Sequence, residues 1–412
     1  MRLHARSRFL SVVLALGAVA LGASPTLALG VKENAQGMGL GYHGWTQGRI
    51  PVFDANADGI RDLLLNAHNE ERWWLMLGRR DGTFVKSDAI PFKKYDLHGC
   101  VAADFASPAG GPDGKVDLFC TTGADGGKSS RLYNKQLFVQ GQPGSFVDLA
   151  AQRGLGMPFD RGRDALAANL NGDAVPDLVT AALRSPTGKS FNRGFLNTNG
   201  RFTELPAAKF PVAQEPGSEC MAVLPKADRF DDVFYCVKSA ARGNGVAHYR
   251  NVQGVLTKVT NAGYLKLKAR KIAFADLNRD AMPDLVVLTD GELSIWFNNG
   301  ANAFPTKNVA LSVAQAWAFA VCRIDGDQDL DVFVAQGKDP HANGPQQQDV
   351  ALLNTGAGTS FTRFVIPQRE TEGNADWVTC LENWQGTGHA MVHVTNGRWL
   401  LSGYNRAYVF QP

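Results

Sequence analysis

Several absences narrow this sequence before any motif is read. No stretch sustains the hydrophobic period of an amphipathic helix, so helix bundles and alternating strand–helix folds are excluded. Net charge is nearly absent too: 42 Lys and Arg stand against 39 Asp and Glu, a formal +3. Three of those arginines, Arg2, Arg6 and Arg8, precede the apolar run Phe9 to Leu21, and Thr26-Leu27-Ala28 supplies a small-residue cleavage site. That order is the pattern of a signal peptide, so residues 1–28 are expected to be removed and 29–412 to form one exported domain, secreted or periplasmic. Without the three arginines the chain is formally neutral, and neither a nucleic acid nor a polybasic membrane partner has support. The apolar run is shorter than the roughly 20 residues of a membrane span, and no second one follows. No cysteine stands directly after it, which argues against a lipid-modified N-terminus.

Catalytic signatures are missing as well. There is no His-Glu-x-x-His pair, no Gly-x-Ser-x-Gly elbow and no phosphate loop. His43, His68, His98, His248 and His341 are scattered along the chain. His389 and His393 sit four apart and read as surface or inter-sheet residues rather than as a transition-metal pair.

What is present is glycine (44), proline (19) and many Asp/Asn turns between short apolar runs, the composition of an all-β chain. Seven turns open at Asp54, Asp104, Asn169, Leu224, Asp276, Arg323 and Leu381, spaced 50, 65, 55, 52, 47 and 58 residues apart. Each is followed by an apolar strand, a further strand, and in the clearest copies a glycine turn ending in Phe, as in Gly82-Thr-Phe84 and Gly200-Arg-Phe202. Four short strands per unit is the make-up of a β-propeller blade, which must stack on its neighbours to bury both faces. Seven units predict a closed ring. Closure is expected to pair residues near Gly39 to Ile50 with tail strands near Trp399 and Tyr408, leaving no exposed edge.

The six cysteines form an even set, which in an exported protein favours disulfides. Cys100 and Cys120 flank the second turn, Cys220 and Cys236 the fourth, and a hairpin brings each pair face to face. Cys322 and Cys380 remain, and would bridge neighbouring repeats.

Three turns carry side-chain oxygens at positions 1, 3, 5 and 9: Asp54, Asn56, Asp58 and Asp62; Asn169, Asn171, Asp173 and Asp177; Asp276, Asn278, Asp280 and Asp284. The carbonyls of Ile60, Val175 and Met282 at position 7 add another oxygen. Hard oxygen donors in this number suit Ca²⁺ better than Mg²⁺, which prefers strict octahedral geometry and retained waters. The other turns decay. The second is interrupted between Asp104 and Asp113-Gly114-Lys-Val-Asp117, and the sixth offers Asp325, Asp327 and Asp331 behind Arg323, whose guanidinium is expected to pair with Asp325 and Asp331. Both are marginal metal sites. The fourth keeps Asp228 and Asp232 with Lys226 at position 3, an internal ammonium in place of the ion. The seventh, Leu381-Glu-Asn383-Trp-Gln-Gly-Thr-Gly-His389, has too few anionic oxygens to bind. About three strong calcium sites are therefore expected, with a structural role.

These turns, together with the Asn-x-Gly-x-Phe segments, resemble those of the FG-GAP/VCBS repeat propellers, the group containing the integrin α-subunit propellers. Phe146 to Leu155 and Lys258 to Leu265 look like inter-repeat stretches of its cartilage-acidic-protein branch, without that branch's C-terminal domain. The resemblance covers the whole of 29–412. It implies a seven-bladed β-propeller with calcium-binding turns between the first two strands of several blades, and a calcium-stabilised recognition or cell-adhesion module.

Loops on the face opposite the turns span 70–74, 93–98, 160–163, 184–193, 238–244 and 338–348. They carry Lys93, Lys94, Arg161, Arg163, Arg184, Lys189, Arg193, Lys238 and Arg242, a basic rim for an acidic glycan or protein surface. Trp73 and Trp74 adjoin one loop, and strand alternation puts at least one in the core. The expected function is non-catalytic recognition of a protein or glycan by a monomer. The alternative is a hydrolase or lyase assembled at the channel mouth, which requires a cluster of histidines and carboxylates there.

Overall fold

The apolar run after each Asp/Asn turn becomes the second strand of a four-stranded antiparallel sheet, and a computed structural model arranges seven such sheets in sequence. It describes residues 29–42, 48–65, 73–93, 96–123, 135–157, 160–183, 190–215, 217–237, 245–337, 347–367, 375–384, 386, 389–396 and 405–411. The signal-peptide segment lies outside them.

Blade 1 is built from Val52–Phe53, Asp62–Leu65, Trp74–Gly78 and Phe84–Ser87. Blade 2 takes Leu97–Ala103, Asp117–Thr122, Gln136–Gln142 and Ser145–Asp148. Arg161–Ala168, Asp177–Leu183, Arg193–Thr198 and Arg201–Glu204 make blade 3. Blade 4 holds Ser218–Leu224, Asp232–Val237, Gly245–Val252 and Val255–Lys258. Lys271–Ala275, Asp284–Leu288, Glu292–Trp296 and Val309–Ser312 follow as blade 5. In blade 6 the strands are Ala316–Cys322, Asp331–Gln336, Val350–Asn354 and Phe361–Val365. Blade 7 has Ala375–Trp384, His389–Asn396 and Arg406–Gln411, and borrows Gly30–Glu33 as its outer strand.

That borrowed strand closes the ring, and it corrects the expected closure. Val31 faces Phe410 and Glu33 faces Tyr408, so the strand that pairs with the tail precedes Gly39. Among the described residues of the stretch from Gly39 to Ile50, Tyr42 alone meets the tail, its carbonyl accepting Asn405 N–H at 3.1 Å. Trp399 lies outside the described residues. Residues 34–40 instead form the step from blade 7 to blade 1. Leu40 N–H bonds the Ala35 carbonyl (2.8 Å) and the Met38 carbonyl takes Phe84 N–H (2.8 Å). Gly39 passes so close to the Phe84 carbonyl that a Cβ there would lie 2.5 Å from it, at a φ of +78°. Only glycine tolerates both.

Burial follows position in the blade. The second strands Asp62–Leu65, Asp117–Thr122, Asp284–Leu288 and Asp331–Gln336 are buried at every residue, because each lies between two neighbouring sheets. Outer strands are half exposed, and Val147 and Val255 point to solvent. Aromatic pairs fill the interfaces between blades: Phe105 on Phe202, Phe234 on Phe274, and Phe333 on Tyr408. Trp73 is core, and Trp74 is half-buried beside Tyr42.

All three cysteine pairs form as expected. Cys100–Cys120 and Cys220–Cys236 cross-link the first two strands of blades 2 and 4. Cys322–Cys380 joins the first strands of blades 6 and 7 across a Cα separation of 6.3 Å. None of the described helices is long and apolar enough to cross a membrane.

Candidate functional site

In blades 1, 2, 3, 5 and 6 the turn is fastened by the carboxylate that ends it and opens the second strand, at the ninth position except after the insertion in blade 2. Asp62 Oδ2 accepts the Ala55 amide at 2.7 Å, and its Oδ1 accepts Gly78 N–H from the third strand at 2.8 Å. Asp177 does the same with Leu170 and Asn197, Asp284 with Leu277 and Asn298, and Asp331 with Ile324 and Asn354. Asp117 takes Phe105, Ala106 and Gln140. These carboxylates are fully buried, and burial pushes Asp62, Asp177 and Asp284 up to about 6 and Asp117 and Asp331 up to about 7. The ninth residue therefore ties turn to sheet as well as offering oxygen to an ion.

Blade 4 departs from this scheme for one reason. The second position of its turn is Pro225, which has no N–H to give. Asp232 Oδ2 faces His248 Nε2 at 3.3 Å instead, and Asp232 Oδ1 lies 3.1 Å from the Lys226 ammonium. Lys226 also lies 3.5 Å from Asp228 and donates to the Asn251 carbonyl at 2.8 Å. The internal ammonium read from the sequence is in place.

The outer positions gather oxygens in two blades alike. In blade 1 the Asp58 amide stands 3.2 Å from both Asp54 Oδ1 and Asn56 Oδ1, and in blade 5 the Asp280 amide stands 3.0 Å from Asp276 Oδ1 and 3.1 Å from Asn278 Oδ1. The amides of Asn56 and Asn278 each donate to the neighbouring carboxylate, Asp58 or Asp280, at 2.9 Å. Blade 3 differs. Asn169 turns its amide onto the Asp173 carbonyl, and its own backbone clasps Asp231 of blade 4, so its Oδ1 meets Gly172 rather than Asp173. The backbone bends needed for these turns fall at Ala57 and Gly59, Gly172, and Arg279 and Ala281, all at positive φ.

In blade 2 the insertion folds outward as a small loop closed by Ser107 and Gly110, so Asp113 and Gly114 still donate their amides to Asp104, at 3.0 and 2.7 Å. Lys115 neutralises Asp113. In blade 6 Arg323 does not pair with Asp325 or Asp331, which corrects the expected charge replacement. Its guanidinium donates from Nη1 to Glu382 of blade 7 (2.9 Å) and from Nε to the Gln328 carbonyl of its own turn (3.3 Å), and the other Glu382 oxygen accepts Arg323 N–H (2.9 Å). Glu382 thus takes both a charge-assisted bond from the guanidinium and the backbone N–H of Arg323. The incoming cation at this turn is Arg279 of blade 5, 2.6 Å from Asp329.

Among the described residues, no set of three or more His, Cys, Asp or Glu is placed to hold a metal as it stands. The turns of blades 1 and 5 nevertheless present hard oxygens only, converging on one backbone amide, and that donor chemistry fits Ca²⁺.

The first strands of the blades face the central channel, where a cavity of about 480 Å³ lies against Leu166, Met221, Val223, Phe274 and Asp276. Arg49 reaches into it from the segment before blade 1. Its guanidinium binds both oxygens of Asp164 in blade 3 at 3.0 Å and the Met221 carbonyl of blade 4 at 3.1 Å, and lies 4.6 Å over the Trp377 ring of blade 7. Lys271 stands 4.8 Å from the same ring, and Arg270 4.2 Å from Trp317. Sequence reasoning missed this group because its members are dispersed over five blades. Their shared signal is position, since Asp164, Lys271, Trp317 and Trp377 all lie near the entry to a first strand.

The expected basic rim is only partly within view. Lys94, Arg184, Lys189, Lys238 and Arg242 lie outside the described residues. Lys93 pairs with Asp148 and Arg193 with Glu204, while Arg163 meets the His98 ring at 3.2 Å. The Arg161 amide donates to Ser190 Oγ. His43, His68 and His341 lie outside the described residues as well. His98 pairs with Asp96 at 3.2 Å, but both are buried, as are His248 and His393.

Residues 276–334 match a family model described as an FG-GAP-like repeat. Among solved structures, the chain is similar to an Agrocybe aegerita lectin in specific recognition of non-reducing terminal N-acetylglucosamine. The TM-score is 0.52 and the identity 15%, over 78% of this chain and 81% of that one. It is also similar to a crystal structure of BBS1N in complex with ARL6DN, with a TM-score of 0.54 and 11% identity over 89% of this chain and 92% of that one. At these identities the likeness is one of fold. No curated protein matches the chain in sequence.

Proposed function

From a chain that is an FG-GAP-repeat β-propeller, we propose a non-catalytic recognition module that binds a protein or glycan partner at the channel mouth opposite the Asp/Asn turns. The observation that carries this reading is the Arg49, Lys271 and Trp377 group, with Arg270 on Trp317 beside it. An indole offers a flat apolar face to a sugar ring, and Lys271 attracts carboxylates or other acidic groups, while Arg49 and Arg270, paired with Asp164 and Asp290, hold the indoles in place. The lectin-like fold neighbour is in keeping with such a role. The buried Asp96 and His98 pair resembles the cluster an enzyme requires, but burial withholds it from substrate.

Calcium belongs to this proposal as a stabiliser. Asp54, Asn56, Asp58 and Asp62, with the Ile60 carbonyl, would hold it in blade 1; Asp276, Asn278, Asp280 and Asp284, with the Met282 carbonyl, in blade 5. Blade 3 offers a weaker set in Asn169, Asn171, Asp173, Asp177 and the Val175 carbonyl, since its first residue carries no charge. The ion would neutralise oxygens that otherwise repel one another. Three disulfides fit an oxidising, exported compartment.

The test is an array of glycans and candidate protein partners probed with the intact protein, in calcium and in chelator, alongside Trp377→Ala and Trp317→Ala. Binding that is lost in the tryptophan variants supports the reading. Binding that survives both would place recognition elsewhere.

A further inference from the structure

We propose that the junction of blades 7 and 1, on the face of the Asp/Asn turns, is a binding site for a tetrahedral oxyanion, phosphate or sulfate, carried as an ester on a sugar-sized body. The site is distinct from the channel mouth and does not depend on that reading.

A cavity of about 460 Å³ opens here, lined by Arg61, Arg79 and Arg80 of blade 1 and by Leu381, Glu382 and Trp384 of blade 7. Blade 1 brings its three arginines together through its fastening carboxylate. Asp62 Oδ1 holds Gly78 N–H at 2.8 Å, and Gly78 lies so close to the Arg61 carbonyl that a Cβ would stand 2.3 Å from it. Arg61 leaves one turn and Arg79 and Arg80 the next, with the two turns pressed side by side.

Nothing in the immediate surroundings neutralises this group. Among the described residues, no ion pair involves Arg61, Arg79 or Arg80, and all three are exposed. Glu382 lines the cavity, but both its oxygens are taken by Arg323 on the blade 6 side. Asp81 accepts from Thr83 N–H and Oγ1 at 2.9 and 2.7 Å, and Asp58 from Ile60 N–H at 2.8 Å and the Asn56 amide at 2.9 Å. Arg79 still feels the charge of Asp81, which moderates the group without closing it.

The opposite wall explains why this junction differs from the others. The seventh turn has lost its acidic positions, and Trp384 packs its indole on Phe84 of blade 1, with ring centroids 5.2 Å apart. The wall facing the three guanidinium groups is therefore the exposed Glu382, already engaged by Arg323, and Asn383, over the buried Leu381 and Trp384. Guanidinium forks match the paired oxygens of phosphate and sulfate, and a cavity of this size admits a sugar-sized body beyond the anion.

The experiment titrates the intact protein with inorganic phosphate, inorganic sulfate, glucose 6-phosphate, glucose 6-sulfate and glucose, each against sodium chloride of equal ionic strength, by calorimetry. Saturable binding of both esters with none for glucose is expected, and the tighter ester identifies the source of the anion. Arg79→Gln with Arg80→Gln should weaken the esters at least tenfold, and Arg61→Gln should weaken them independently. Arg79→Lys with Arg80→Lys should keep more affinity than the glutamine pair, since charge remains while the fork is lost. These side chains are exposed, so unchanged melting temperatures are expected for all variants. Absence of ester binding by the wild type, or binding that persists in the glutamine pair, overturns the assignment.

Discussion

The side-chain amide of Asn251 donates to the carbonyl of Leu170 at 3.0 Å, joining the third strand of blade 4 to the turn of blade 3. The N–H of the same Leu170 is held by Asp177 in its own blade. One turn residue is thus hooked in both directions. The arrangement repeats as Gln140 on Ala55, Asn197 on Phe105 and Asn354 on Leu277. Blade 5 differs, for the Asn298 amide reaches the Pro283 carbonyl of its own turn at 3.2 Å, and blade 1 has Gly78 at the equivalent position, with no side chain to reach across.

Replacing Asn251 by Ala should therefore cost about 2 kcal/mol, because the variant strands the buried Leu170 carbonyl and releases Gly254, which Asn251 Oδ1 also holds. Asn298→Ala breaks no contact between blades and should cost about half as much. Denaturant unfolding of the two variants compares them directly. Equal losses would show that the inter-blade bond adds nothing.

Blade 4 offers a second test. Pro225 deprives Asp232 of the amide its counterparts receive, and Lys226 and His248 fill the gap. Lys226→Met leaves a buried carboxylate short of its cation and should destabilise by about 3 kcal/mol. Adding Pro225→Ala restores an N–H at the second position and should recover about 1 kcal/mol. The coupling is read from a double-mutant cycle in urea, and strict additivity of the two changes would refute it.

Much of this was legible in the sequence. The repeat spacing predicts seven four-stranded blades because a blade cannot bury both faces alone, and the hairpin positions of Cys100, Cys120, Cys220 and Cys236 predict their partners, leaving Cys322 for Cys380. Ring closure was misplaced for a specific reason. Residues 34–40 repeat the step at residues 149–155: Leu155 N–H bonds the Ala150 carbonyl, and the Arg153 carbonyl takes Phe202 N–H, as Leu40, Ala35, Met38 and Phe84 do. Aligning those two steps puts the closing strand before Asn34, at Gly30–Glu33, but the likeness rests on few identical residues. Arg323 was misread because its partner, Glu382, belongs to another blade. The channel-mouth group escaped because its residues come from five blades and share no linear spacing.

Calcium should act through blades 1 and 5 more than through blade 3, where Asn169 replaces Asp and turns its amide inward. A chelator is expected to lower the melting temperature, and added calcium to restore it. A site held at a hundredfold excess over its Kd contributes about 2.7 kcal/mol. Asp54→Asn and Asp276→Asn should each remove part of the calcium-dependent shift, and Asn169→Asp should enlarge it. A melting curve indifferent to chelator would count against calcium at every turn.

His393 predicts how stability depends on acid. It lies fully buried in the second strand of blade 7, with no hydrogen-bond partner on either ring nitrogen among the described residues, and burial lowers its pKa from 6.5 to about 4. The folded protein keeps the ring neutral while the unfolded chain protonates it near 6.5. Its contribution is therefore intact above pH 6.5, declines as pH falls, and levels off near pH 4, a loss of about 3 kcal/mol. His393→Leu removes the titrating group and keeps an apolar side chain in the site, so its stability should fall less steeply over the same window. Urea midpoints measured from pH 7 to pH 4 for wild type and variant give the comparison, and parallel curves would mean that His393 takes no part in the acid response.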